Sequence, residues 1–179
     1  MINKTTWAID PLHSEVLFKV KHLVITTVTG RFNKFDGALI TEEDDFSNSK
    51  VTFSIDVKSI DTNQAQRDAH LQNSDFFSAD LYPTISFEST AFEKSNQTDY
   101  KMLGNLTMKR VTKAIALNVE YNGSEDNGHG ILKHGFEVIG VINRKEFGIT
   151  WNKLTETGNL GLSEDIKLIA NIQIAKLEE

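Results

Sequence analysis

The chain has 179 residues, a length that suits one compact domain with room for a sizeable core or an internal cavity. Its net charge is −6, and acidic and basic residues are interspersed without a Lys/Arg block, which argues against nucleic acid and anionic membrane surfaces as partners. There is no cysteine, so disulfides, thiol catalysis and thiolate metal sites are excluded.

The opening "MINKTTWAID" has no apolar leader region, and no stretch approaches the ~18 apolar residues of a membrane helix. Read literally, this predicts a cytoplasmic protein. An exported form whose leader had been trimmed and a Met added would read the same, and would be periplasmic. From Val16 onward the dominant signal is period-two alternation, the pattern of half-buried strands. Val16, Phe18, Val20 and His22 share one face, with Glu15, Lys19 and Lys21 on the other. Phe35, Gly37 and Leu39 suggest a second strand, and Val51, Phe53, Ile55 and Val57 a third.

The alternation then stops at "SIDTNQAQRDAHLQNSDFF", Ser59 to Phe77. "QAQRDAHLQN" holds good helix formers, Thr62 or Asn63 offers a cap, and the spacing predicts a short helix over about 64–72. Asp75 offers a cap for the following turn, which "LYP" ends. Strand signals resume with Ile85 and Phe87. They continue with Met102, Gly104 and Leu106, then Ile115, Leu117, Val119 and Tyr121. Phe136, Val138, Gly140 and Ile142 follow, and Ile166, Leu168, Ala170, Ile172 and Ile174 close the series.

Eight strands joined by polar turns such as "EKSNQTD" and "NGSEDNGHG" argue for antiparallel pairing. Closing so long a sheet removes its edges. The expected fold is therefore all-β, an eight-stranded antiparallel lipocalin-like barrel with a short helix at one end. It spans residues 1–179 as a single domain. A barrel of eight strands is either filled by side chains or holds one ligand. Periodicity alone does not separate a packed core from a cavity.

Arg67, Asp68 and His70 put three ionisable groups within four residues. Arg presents a planar fork for phosphate or carboxylate, and His titrates near neutrality. On a helix Arg67 and His70 share a face while Asp68 turns away, which weakens an acid–base reading. The group is either a salt-bridged cap tying down a barrel end or a set of polar contacts to a ligand. His22, on the apolar face of its strand, is either a hydrogen-bonded interior residue or a polar contact inside a cavity. His13 beside Ser14 lacks the strained elbow of a hydrolase serine. His129 and His134, five apart in a Gly-rich hairpin stretch, lack zinc-site spacing, and no nucleotide-binding motif occurs. No cofactor, metal or catalytic set is expected.

The ordered blocks "WAIDPLHSEVLFKVKH", "GRFNKFDGAL", "SIDTNQAQRDAHLQNSDFF", "YPTISFEST", "GNLTMKRVTKAIALNVEY" and "GFEVIGVINRKEFGI" resemble the YceI-like family of lipocalin-like lipid-binding proteins, over nearly the whole chain. The family's usual Gly in the "MKRVT" turn is Arg110 here. The resemblance implies a barrel with an elongated apolar pore. The pore would hold an isoprenoid, an isoprenoid quinone-like molecule or a fatty-acid-derived lipid. It also implies a homodimer and brings no established catalytic residues. On this reading Phe18, Val20, His22, Phe53, Ile55, Arg67, His70, Phe87, Leu117, Phe136 and Leu168 are the ligand-binding candidates. The tail would lie along the inner faces, with Arg67, His70 and His22 near a head group or in the pore. The competing expectations are an enzyme acting on such a lipid, a lyase or hydrolase using Arg67, Asp68 and His70, and a packed barrel serving as an interaction module.

Overall fold

A computed structural model describes residues 3–42, 45–158 and 161–178. Eleven strands form one antiparallel sheet: β1 (Thr5–Ile9), β2 (Glu15–His22), β3 (Thr26–Phe32), β4 (Phe35–Thr41), β5 (Lys50–Asp56), β6 (Ile60–Asp61), β7 (Thr84–Lys94), β8 (Asp99–Met108), β9 (Val111–Asp126), β10 (Leu132–Asn143) and β11 (Asp165–Lys176). The helix α1 (Ala65–Gln72) follows β6.

Eight of these strands close a ring in the order β1-β4-β5-β7-β8-β9-β10-β11 and back to β1. The expected eight-stranded antiparallel barrel with one short helix is therefore present. The eight strands read from alternation correspond to β2, β4, β5 and β7 to β11; β1, β3 and β6 are additional. β1 and β2 lie end to end along β11: Ile9 pairs with Ile174, and Glu15 with Asn171. The break between them has a local cause. Pro11 supplies no backbone donor. Asp10 caps a 3₁₀ turn over Pro11–His13 by accepting from the Leu12 amide at 3.1 Å. The ladder survives the interruption, because the Gln173 amide donates to Ser14 Oγ at 2.9 Å and the Asp10 amide to the Gln173 carbonyl at 2.8 Å. β3 and β4 are separated by Asn33 and Lys34, and β3 pairs with β2 and with the two residues of β6. β2 and β3 thus lie outside the closed ring.

The inner faces carry the residues that alternation placed there. Phe87, Leu106, Leu117, Phe136 and Ile142 are buried in one continuous cluster. Several of the bulkiest inner side chains lie flat over a glycine of a neighbouring strand. Phe18 covers Gly30 and Phe87 covers Gly104, while Leu117 covers Gly140; a Cβ added at any of these glycines would overlap the covering side chain. Pairing large with absent side chains lets the wall hold its bulk close to the backbone and keeps the axis open.

Lys109 and Arg110 both adopt positive φ, 52° and 62°, the geometry of a tight hairpin turn that favours Asn-Gly. Arg110 is held over the Tyr82 ring at 5.4 Å, a cation–π contact.

Candidate functional site

The barrel encloses a cavity of about 1270 Å³. All eleven residues singled out from the sequence line it: Phe18, Val20, His22, Phe53, Ile55, Arg67, His70, Phe87, Leu117, Phe136 and Leu168. Its wall is apolar along most of its length, from Phe18 and Phe32 through Phe53, Phe87 and Leu117 to Phe136. Behind Phe136 the barrel is plugged. Phe46 packs edge-on against Phe136 at 5.0 Å and against Trp7 at 5.7 Å, and Tyr121 lies 5.2 Å from Phe136.

His134 sits within this plug, in β10 and not in the hairpin loop that its Gly-rich surroundings suggested. Its Nδ1 shares a 2.8 Å hydrogen bond with the Tyr121 hydroxyl, its ring packs edge-on against Trp7 at 4.8 Å, and its Nε2 is buried without a partner among the described residues. Burial pushes its pKa below the usual imidazole value.

Most of the polar groups on the lining collect at the opposite end, around α1 and residues 151–157: Gln64, Gln66, Arg67, His70, Lys153 and Glu156. The cap expected from Thr62 or Asn63 is absent. Gln64 occupies the cap position and makes no side-chain cap bond. Asp68 instead ties the helix back to the chain before it, its Oδ1 accepting from the Thr62 amide at 2.8 Å and from the Thr62 hydroxyl. Arg67 closes the knot, with Nε donating to Thr62 Oγ1 and Nη2 to the Thr62 carbonyl, each at 2.7 Å. Thr62 is buried at the end of β6, so the knot fastens α1 to the sheet. Arg67 also borders the cavity, and its hydrogen bonds tie it to Thr62.

His70 Nε2 lies 2.8 Å from Asp75 Oδ2, and its ring packs edge-on between Phe76 at 5.0 Å and Trp151 at 4.9 Å. Asp75 therefore orients an imidazole at the mouth, where the sequence had suggested a turn cap. His22 departs from expectation in burial. It sits on the inward face of β2, but the strand runs past the barrel rim, leaving it exposed at the mouth beside Leu162. Ser14 is engaged with the Gln173 backbone and His13 with Asp10 at 2.9 Å, so neither adjoins the cavity as a nucleophile–base pair.

Sequence reasoning missed Arg144 and Trp151. Arg144 is buried and lines the cavity. Among the described residues its guanidinium donates to main-chain carbonyls: Ser163 at 2.9 Å, Ile149 at 2.9 Å, Trp151 at 2.7 Å and Leu162 at 3.5 Å. It thus pins both ends of the loop that carries Trp151 to the mouth. Arg144 opens a 3₁₀ turn directly after β10, and nothing in its spacing signals this role. Among the described residues no cluster of three or more His, Asp or Glu side chains is arranged to hold a metal ion. No described helix is long and apolar enough to cross a membrane.

The YceI-like domain model matches residues 7–174. A UPF0312 protein of Staphylococcus aureus (strain bovine RF122 / ET3-1) is 37% identical over 172 residues, covering 96% of this chain and 98% of that protein. Among solved structures, BcnA of Burkholderia cenocepacia superposes with a TM-score of 0.78 at 21% identity, over 92% of this chain and 98% of that one. A polyisoprenoid binding domain from Saccharophagus degradans, implicated in plant cell wall breakdown, superposes with a TM-score of 0.67 at 14% identity, over 96% and 98%. Both likenesses are of fold.

Proposed function

Given that the chain belongs to the YceI-like domain family, we propose that it binds a long-chain isoprenoid, isoprenoid quinone-like or fatty-acid-derived lipid in the barrel, for storage, transport or sequestration. The observation that carries this reading is the polarity gradient of the cavity: an apolar shaft blocked by Phe136, with polar side chains gathered at the α1 end. Such a gradient matches an amphipathic ligand inserted tail first. The polyisoprenoid binding domain of matching fold supports the same class of ligand.

The volume sets the scale. A cavity of about 1270 Å³ admits roughly 40 methylene-sized groups, taking about 30 Å³ for each, the share of a water molecule in liquid. A tail filling half of it buries about 20 methylenes at ~0.8 kcal/mol each, a gross ~16 kcal/mol before ordering costs. Apolar burial alone then suffices for tight binding. Arg67, His70 and His22 have the lesser task of selecting and orienting a head group at the mouth.

The protein acts as a carrier and not as an enzyme, a reading favoured by its YceI-like family and by the fold neighbour named for polyisoprenoid binding. Residues 1–179 work as one barrel domain and pair as a homodimer. Native mass spectrometry of protein purified without detergent tests the central point. A bound species that dissociates as an intact lipid is expected. Protein that carries none, and takes up no added isoprenoid, overturns the proposal in favour of a filled barrel.

A further inference from the structure

The β2–β3 hairpin ends in three consecutive large apolar residues, Leu23, Val24 and Ile25, exposed by 42%, 61% and 83%. Leu154 on the neighbouring loop is exposed by 65%. They belong to one rim. The Leu23 amide donates to the Gly161 carbonyl at 2.8 Å, and the Gly161 amide to the Lys153 carbonyl at 2.8 Å. This rim is also the mouth of the cavity, because Leu23, Lys153, Leu154 and Leu162 all line it.

The backbone of the tip is as telling as its side chains. Leu23 and Val24 sit at φ of 52° and 66°, the two central positions of a tight turn closed by the Ile25 amide on the His22 carbonyl. Such a turn favours Asn-Gly, and a β-branched residue with positive φ is an outlier. A soluble hairpin has every reason to carry polar residues here. This one holds apolar side chains out into water on a strained backbone.

We propose that this tip is a docking finger that inserts into the surface of a lipid bilayer, which brings the cavity mouth and its polar groups to the level of the lipid head groups. The inference rests on the lipid-binding reading, and three observations favour a bilayer as the occupant. The apolar strip is continuous with the cavity wall, so a tail passes from bilayer to shaft without crossing water. Its area is a few hundred Å², well below the ~800 Å² per partner of a stable protein interface. Lys21, two residues before Leu23, and Lys153, next to Leu154, are both exposed and without an ion pair among the described residues, so they flank the strip and are free to meet phosphates. The net charge of −6 keeps the rest of the chain off an anionic surface, so insertion drives docking and the two lysines orient it.

The test is the double variant Val24→Gly, Ile25→Ser, which leaves the cavity-lining Leu23 in place. It puts a glycine at a positive-φ position of the turn, and so should fold with an unchanged or raised melting temperature. Two readouts are compared with the parent: co-sedimentation with phosphatidylcholine vesicles, and the rate at which preloaded dansyl-labelled polyprenyl lipid passes to acceptor vesicles. The expected result is at least tenfold weaker sedimentation and at least tenfold slower transfer, with lipid occupancy in the cavity unchanged. Equal sedimentation and transfer by both proteins overturns the docking role. So does a tip variant that turns a dimer into a monomer while the parent ignores vesicles. Loss of the lipid-binding reading is separately visible, as failure of the parent to load lipid at all.

Discussion

Placing an alanine at two of the wall glycines separates a barrel with an open lumen from one that is filled. At Gly140 an ideal Cβ overlaps Leu117 Cδ2, and the next neighbour, the Ala116 carbonyl oxygen, is 3.5 Å away. Leu117 lines the cavity, so in an open barrel it rotates inward. The cost is an off-preference rotamer of about 0.5–1.5 kcal/mol, offset by about 0.4–1 kcal/mol from the stiffer unfolded chain. Gly140→Ala should therefore change stability by less than about 1 kcal/mol. At Gly104 the added Cβ meets the Phe87 ring and also the Glu88 carbonyl oxygen at 2.5 Å. A ring can swing into the lumen but a ladder carbonyl cannot, so Gly104→Ala should cost about 2–3 kcal/mol. With a urea m-value of about 2 kcal/mol/M, its unfolding midpoint falls by about 1 M while that of Gly140→Ala barely moves. The rotated Leu117 also removes roughly 100 Å³ of lumen, so Gly140→Ala should favour shorter tails in a binding series. Equal, large losses for both variants would refute the reasoning, because they would mean Leu117 has nowhere to go.

Phe53→Arg buries an unpaired charge in the shaft, and native mass spectrometry should show lipid expelled or the chain unfolded; near-native stability with unchanged lipid content would place Phe53 outside. Arg144→Met leaves the carbonyls of Ile149, Trp151 and Ser163 without their donor, so thermal unfolding should show a loss of about 2–4 kcal/mol. Limited proteolysis of the same variant should cut first within 149–163. Stability should also decline on mild acidification through His134. Its folded pKa is depressed below 6.5, so the unfolded chain binds the proton first. This contribution is complete above the unfolded pKa and is lost as pH falls from about 6.5 toward the folded value. His134→Phe should flatten that limb of a urea-midpoint profile, and an unaltered slope would remove His134 from the account.

The sequence was informative where one physical rule acted alone. Strand faces followed from period two, so Phe53, Phe87, Leu117 and Phe136 could be assigned to the interior, and all four line the cavity. What alternation does not carry is how far a side chain stands off its wall. That depends on which glycine lies across the ladder, as Gly104 does for Phe87, and cross-strand register is a property of the closed sheet. β1 was hidden because Pro11 and the Asp10 cap divide one continuous edge into short pieces. β3 was hidden because Thr26–Phe32 has only Val28 and Phe32 as large apolar residues on its inner face. At the mouth, the link from Arg67 and Asp68 back to Thr62 was invisible to helical spacing, since Thr62 lies before the helix begins. His22 was assigned to the correct face, but where a strand outruns its barrel an inward face becomes a rim.

The most direct measurement is a crystal structure of the protein with its co-purified or added polyprenyl ligand. The account predicts continuous tail density from Trp151 past Leu117 to Phe136, with the head group beside Arg67 and His70. A head group at the Phe136 end, or a ligand lying on the outer face of the sheet with the shaft closed by side chains, would contradict it.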